Sequence, residues 1–248
     1  MNCAPLIGIP ARLNSTRLPG KALLEINGTP LICHVVQRAQ ALSLPTPPVV
    51  FTDSVEIQEA VTQRGGVVSL DDTSCESGTE RVARGAIRCL KQPDARLEGW
   101  DQAWVVNVQG DEPLLPLSSL TQLVSVLGRW EQKGVHVVTL GCHLQEEERA
   151  QVNPHLVKLC VREDMRALYF SRAEIGAGRA LRHIGVYAFH VSVINVLLKD
   201  RTALSIAEDL EQLSWMERGL EIGVELVDAH PKGVDTLEDL QRVRRVLA

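Results

Sequence analysis

The chain has 248 residues, 45% hydrophobic and 23% charged, a globular composition that excludes wholesale disorder. Lys and Arg total 26 against 31 Asp and Glu, a net charge of −5. With no run of five or more basic residues and no basic–aromatic interleaving, nucleic-acid binding is excluded as a main activity. The six cysteines, Cys3, Cys33, Cys75, Cys89, Cys142 and Cys160, form no CxxC and stand at no zinc-finger spacing from His, so they read as reduced thiols of a cytoplasmic protein.

Met1-Asn2-Cys3-Ala4 leads without a basic leader into Leu6-Ile7-Gly8-Ile9, a short buried strand. A polar loop occupies 10–21. Thr29 and Pro30 are expected to open a helix, as N-cap and first-turn residue, with Leu31, Ile32, Val35, Val36, Ala39 and Leu42 on its apolar face. Val49-Val50-Phe51 reads as a strand. Asp53-Ser54 leads a helix to Gln63, and Gly65-Gly66 turns the chain into the strand Val67-Val68. A helix follows over 78–90. The nearly all-apolar run 104–108 has the character of a central parallel strand, followed by a helix over 116–127 and a strand over 135–140.

From about residue 151 the rhythm changes. Strands are expected over 156–161 and 183–189, a helix over 205–218, a last strand over 225–227 and a closing helix over 237–247. The alternation predicts an α/β chain with three α/β/α layers around a mostly parallel sheet. Residues 151–205 form an excursion, read as an accessory β-element or dimer surface, and 1–248 a single domain. No run of about 18 apolar residues occurs, so no membrane span is expected.

In open α/β sheets ligands bind beyond the carboxyl ends of strands, which directs attention to the loop after the first strand. It carries neither GxGxxG nor GxxxxGK[ST], yet gathers Arg12, Arg17 and Lys21 amid Ser15, Thr16 and Gly20. Arginine grips phosphate oxygens bidentately and lysine acts as a point charge, so the loop suits a triphosphate. Beyond the central strand lies Asn107-Val-Gln-Gly-Asp-Glu-Pro113. Asp111 would repel a polyphosphate unless a cation intervened, and Mg²⁺ is commonly held by one or two carboxylates plus substrate phosphates. Asp235-Thr-Leu-Glu238 resembles a capping box, and a metal role for Asp235 stays open beside it. Ser77-Gly78-Thr79 could offer N–H and hydroxyl groups to a base or sugar, with Arg81 against the nucleobase, or form an ordinary helix cap. His183 stands near Arg172 and Arg182 and carries little alone. No HExxH or GxSxG is present.

Seven segments occur in order: Ile9-Pro-Ala-Arg-Leu-Asn-Ser-Thr-Arg-Leu-Pro-Gly-Lys21, Ser77-Gly-Thr-Glu-Arg81, Asn107-Val-Gln-Gly-Asp-Glu-Pro113, Tyr169-Phe-Ser-Arg172, His183-Ile-Gly-Val-Tyr187, Leu210-Glu-Gln-Leu213 and Gly233-Val-Asp-Thr236. With them the chain resembles, from end to end, the 3-deoxy-manno-octulosonate cytidylyltransferases, or CMP-Kdo synthetases. The resemblance implies a Rossmann-like nucleotidyltransferase fold, transfer of CMP from CTP to a sugar acid with Mg²⁺, release of pyrophosphate, and a homodimer. It implies that Arg12, Arg17 and Lys21 hold the CTP phosphates, with Pro10, Ala11, Ser77, Gly78, Arg81 and Gln109 about the nucleotide. Asp111 and Asp235 become the metal ligands, and Lys21, Arg17, Asp111 and Asp235 the catalytic group. Gln109, Arg172, His183, Tyr187, Glu211 and Gln212 would face the acceptor.

Two departures fall on the acceptor side. Ile175 runs directly into Gly176-Ala-Gly-Arg-Ala-Leu-Arg182, shortening a family loop, and Ser214 follows Leu-Glu-Gln-Leu where the family usually has Arg. Besides Kdo, an 8-amino analogue or a small phosphonate is therefore a candidate acceptor. A nucleotide-binding module without turnover is the non-enzyme rival, and retention of Lys21, Asp111 and Asp235 argues against it.

Overall fold

Strand β1 (Leu6–Ala11) is buried along its whole length, as its apolar run requires. The structure, a computed structural model, describes residues 4–13, 18–91, 103–145, 148, 156–176, 179–229 and 231–247. The chain divides into two units, residues 4–121 with 231–248, and residues 122–230.

In the first unit, β2 (Glu25–Ile26) and β3 (Thr29–Pro30) form a small antiparallel hairpin, with Ile26 opposite Thr29. The turn residues Asn27 and Gly28 both have positive φ, as a two-residue Asn-Gly turn demands. Thr29 is thus a strand residue and not the expected N-cap. Helix α1 (Leu31–Gln40) starts after Pro30 and has no side-chain cap. Strand β4 (Val49–Thr52) is followed by α2 (Val55–Thr62), whose first turn is closed by Ser54 Oγ accepting from the Ile57 N–H. Strand β5 (Val67–Leu70), helix α3 (Gly78–Lys91) and strand β6 (Trp104–Asn107) complete the alternation. The strands pair in parallel in the order β6-β1-β4-β5.

Helix α4 (Leu117–Gln132), within which the division falls, runs five residues beyond the expected 127. Leu120, Leu123, Leu127 and Trp130 are all buried and continue one apolar stripe, and the chain turns only at Gly134 with φ 73.

In the second unit, β7 (Val137–His143) is the central strand. The hairpin β8 (Lys158–Val161) and β9 (Ala167–Ser171) joins β10 (Leu181–His190) through β8. β10 pairs with β7 in antiparallel fashion, with a register shift between Ile184 and Tyr187. After the short helix α5 (Ile194–Leu197), the expected helix over 205–218 proves to be two, α6 (Ala203–Glu208) and α7 (Glu211–Glu217). The break is at Asp209, in the left-handed region at φ 52, a conformation that Asp tolerates without a glycine signal. The two helices are tied by the Ser205 and Ser214 hydroxyls, 2.6 Å apart. Strand β11 (Ile222–Leu226) pairs in parallel with β7 and begins three residues earlier than expected, because Ile222 and Val224 belong to the core.

Helix α8 (Leu237–Leu247) closes the first unit. Its Leu240 and Val243 pack with Leu18, Ile26, Leu31 and Val234, so the last helix covers the hairpin. The α/β class with largely parallel strands and flanking helices is as expected. Among the described residues, no helix is long and apolar enough to cross a membrane.

Candidate nucleotide and metal site

In the first unit a cavity opens at the carboxyl ends of β1 and β6, where the strand-end rule places ligands. Pro10 and Ala11 line it from β1 and Arg12 from just beyond, Gln109 and Asp111 from the segment after β6, Gly78 and Arg81 from α3 and Ser77 from just before it, with Lys21 and Asp235 completing it. Arg17, with Asn14, Ser15 and Thr16, lies outside the described residues.

Close approach explains two of the glycines. A β-carbon on Gly110 would stand 2.5 Å from the Pro10 carbonyl oxygen, and one on Gly78 would stand 2.9 Å from Pro10 Cγ and 3.1 Å from Gln109 Oε1. Gly110, Cys75 and Ala22 also line the cavity and were not singled out from the sequence. Gly110 lies inside the quoted Gln-Gly-Asp motif, so a signal for it existed.

Lys21 stands in a one-turn 3₁₀ segment, Lys21–Leu23, entered through Gly20 at φ 66. Its Nζ donates to Asp111 Oδ2 at 2.6 Å and to Asp235 Oδ1 at 3.1 Å. Burial disfavours the ammonium, but Asp111 and then Asp235 outweigh it, and its pKa lies above the usual lysine value. The ion pairs are partly sheltered, with the Lys21 side chain 15% exposed.

Asp235 reaches this position because it does not cap α8. Asp239 Oδ2 accepts from the backbone N–H of Asp235 and of Thr236, while Thr236 Oγ1 accepts from the Asp239 N–H. The reciprocal box is therefore Thr236–Asp239, one residue later than the expected Asp235–Glu238. The Asp235 carboxylate is left to the cavity.

Ser77 is the cap that the cautious reading allowed, since its Oγ accepts from the Glu80 N–H at 3.1 Å, and it also lines the cavity. Arg81 is buried, and its Nη2 donates to Asp53 Oδ2 at 2.6 Å. Asp53, read from sequence only as leading a helix, is thus what orients this guanidinium. Asn107 Nδ2 donates to Thr79 Oγ1 at 3.0 Å and ties β6 to the start of α3.

Two carboxylates converging on one point form a hard oxygen donor set. It is too small to fill the shell of a divalent cation alone and suits Mg²⁺ that also takes phosphate oxygens. Arg12, Lys21 and Arg81 around them suit a polyanion.

The remaining candidates, Arg172, His183, Tyr187, Glu211 and Gln212, lie in the second unit. His183 Nε2 is 2.9 Å from Thr139 Oγ1, while Thr139 donates its only hydroxyl proton to the Val186 carbonyl at 2.8 Å. Nε2 must then be the donor, and Nδ1 carries the lone pair. Burial lowers the His183 pKa to about 3 from the ordinary 6.5, so the ring is neutral. The Tyr187 ring lies 5.3 Å from His183 and 5.1 Å, edge-on, from Trp215. The Tyr187 hydroxyl is buried without a hydrogen-bond partner among the described residues. Burial, and then Glu211, raise its pKa well above the phenol value. Gln212 is buried, and Arg172 pairs loosely with Asp209 at 3.6 Å. A neutral imidazole acceptor beside an unsatisfied phenol suits hydroxyl groups better than bare charge.

The His183 shift has a pH consequence. Between pH 6.5 and 3 the unfolded chain takes up a proton that the folded chain refuses, so this stability is full above 6.5 and is lost as pH falls through that window. His183→Gln is expected to flatten the decline in urea-unfolding stability between about pH 7.5 and 5. An unchanged slope would assign that decline to other groups.

Comparison with known proteins bears on this geometry. Residues 6–222 match a family model described as cytidylyltransferase. A 3-deoxy-manno-octulosonate cytidylyltransferase of Rhodopseudomonas palustris (strain BisA53) is 40% identical over 250 residues, covering 98% of this chain and 96% of that protein. One from Bartonella bacilliformis is 39% identical over 256 residues, covering 100% of both. A solved CMP:2-keto-3-deoxy-manno-octonic acid synthetase complexed with CTP matches with TM-score 0.85 and 33% identity, covering 98% of each chain.

Proposed function

We propose that this chain, which belongs to the cytidylyltransferase family and within it to the 3-deoxy-manno-octulosonate cytidylyltransferases, transfers CMP from CTP to 3-deoxy-manno-octulosonate (Kdo) and releases pyrophosphate. The observation that carries the reading is the convergence of Lys21, Asp111 and Asp235 inside a cavity rimmed by Arg12 and Arg81.

The anomeric hydroxyl of the acceptor attacks the α-phosphorus in line. One P–O bond forms, the bond to the β-phosphate oxygen breaks, and the hydroxyl proton passes to solvent. Arg12, Arg17 and Lys21 hold the phosphate oxygens and offset charge that grows on the departing pyrophosphate. Asp111 and Asp235 would hold Mg²⁺, which supplies further neutralisation of the phosphoryl oxygens. Pro10, Ala11, Ser77, Gly78, Arg81 and Gln109 position the nucleoside. Gln109, Arg172, His183, Tyr187, Glu211 and Gln212 receive the acceptor, with neutral His183 accepting a sugar hydroxyl at Nδ1 and Tyr187 gaining the partner it lacks. A homodimer, on the strength of the resemblance alone, and a cytoplasmic location, on the reading of the cysteines as reduced thiols, complete the proposal.

A second reading keeps the CTP chemistry and changes the acid. It is favoured by Ser214, whose hydroxyl is buried and engaged by the Thr202 N–H and Ser205, and which brings no charge to the position where the family usually has Arg. Pyrophosphate release with CTP and Mg²⁺ across Kdo, 8-amino-Kdo and simple phosphonates decides between them. Release with Kdo supports the first reading, and release only with another acid replaces it.

The cavity wall offers a separate test. In Gly110→Ala the new methyl group meets a backbone carbonyl that cannot step aside, so Pro10 must move. CTP affinity by calorimetry is expected to fall roughly tenfold or more, about 1.4 kcal/mol. Unchanged affinity in a normally folded variant would remove Pro10 from the nucleotide site.

A further inference from the structure

Lys21 occupies an unusual place for a residue assigned to phosphate. Its single ammonium is shared between Asp111 and Asp235, which are 90 and 214 residues away in sequence and are the two groups assigned to the metal. Two carboxylates facing one cavity repel each other unless a cation lies between them, and in this structure that cation is Lys21. The same pair of oxygens cannot serve an ammonium and a divalent cation together at full strength. The lysine stem is flexible and its head is a compact point charge, so arriving phosphate oxygens can draw it away.

We propose that Lys21 is a stand-in cation that blocks the carboxylate pair in the nucleotide-free protein, so that metal binding is weak until a polyphosphate takes Lys21 off Asp111 and Asp235. This rests on the metal reading given above and extends it: the residue that helps hold the phosphates also keeps the metal out in their absence. CTP and metal then bind with positive coupling, and linkage requires each to strengthen the other by the same factor.

The test is Mn²⁺ binding to nucleotide-free protein, read by electron paramagnetic resonance, in wild type, Lys21→Met, Lys21→Gln and Lys21→Arg. The two neutral variants are expected to bind Mn²⁺ at least about tenfold more tightly than wild type. Lys21→Arg keeps the charge and should remain within about threefold of wild type. Adding Asp111→Asn to Lys21→Met should abolish the gain. If Lys21→Met does not fold, Lys21→Gln decides alone.

Neutral variants that bind Mn²⁺ no more tightly than wild type overturn the proposal. The metal reading is checked separately, by CTP calorimetry with and without Mn²⁺. If Mn²⁺ tightens CTP binding in wild type and not in Asp111→Asn, the metal reading stands whatever the lysine variants do. If it tightens both equally, the metal reading fails and the stand-in role fails with it.

Discussion

Asp111→Asn is expected to lower the turnover number for pyrophosphate release by roughly a thousandfold, about 4 kcal/mol of transition-state stabilisation. The substitution keeps the shape of the side chain and removes its charge. Two consequences follow from the geometry. The Lys21 ammonium loses the charge of its 2.6 Å partner, and Asp235 at 3.1 Å becomes the one carboxylate of those two left to pair with it. A divalent cation in the cavity loses one of the two converging carboxylates, and with it the means of drawing charge from the phosphoryl oxygens as the α-phosphorus is attacked. CTP affinity in the absence of metal should change far less, because the arginines and the nucleoside wall remain. Steady-state kinetics with saturating CTP and Mg²⁺, beside metal-free calorimetry, separates the two effects. A variant that retains turnover within about tenfold would remove Asp111 from the chemistry.

Trp130→Ala is expected to destabilise the protein by about 3–5 kcal/mol. Trp130 is 2% exposed at the end of α4, and its ring fills the space left by Gly223 of β11, where a β-carbon would stand 2.7 Å from the indole. Its Nε1–H donates to Glu225 Oε1 at 2.6 Å, and Arg129 pairs with the same oxygen. Removing the indole therefore opens a cavity and deprives a buried carboxylate of a donor. Trp130→Phe separates these contributions. It retains most of the volume and loses only the hydrogen bond, for an expected cost of about 1–3 kcal/mol. Urea unfolding of both variants is the measurement. Equal costs would mean that the Glu225 hydrogen bond, not the packed volume, holds this corner.

The parts of the fold that sequence reveals are those governed by local pattern. Apolar runs mark β1 and β6, and the Ser54 cap marks α2, because each depends on a few adjacent residues. The misplaced boundaries depend on partners that are distant or on turns that carry two meanings. Thr29-Pro30 has the chemistry of a helix start, yet the Asn27-Gly28 turn before it folds Thr29 onto Ile26. The break at Asp209 has no glycine or proline to announce it, and what supports it is the buried meeting of Ser205 and Ser214.

The candidate site follows the same division. Arg12, Lys21 and Asp111 are legible because the strand-end rule gathers the loops that contain them, whereas Ser77, Gly78 and Arg81 read equally as a helix cap and Gln109 follows only from the resemblance. Asp235 is ambiguous in sequence, since Asp-x-x-Glu and Thr-x-x-Asp are offset by one residue and both read as caps; only the hydrogen bonds of Asp239 decide. Asp53 is illegible as a site residue, because its role exists only once α3 brings Arg81 beside it. The neutrality of His183 is likewise a product of packing, because it is burial that lowers its pKa.

The most direct test of the central claim is to incubate the protein with α-labelled CTP, Mg²⁺ and Kdo and to identify the labelled product by mass. The account predicts label in CMP-Kdo with one pyrophosphate released per product, and product formed roughly a thousandfold more slowly in Asp111→Asn. Label that remains in CTP with Kdo present and wild-type protein folded and binding CTP would contradict it.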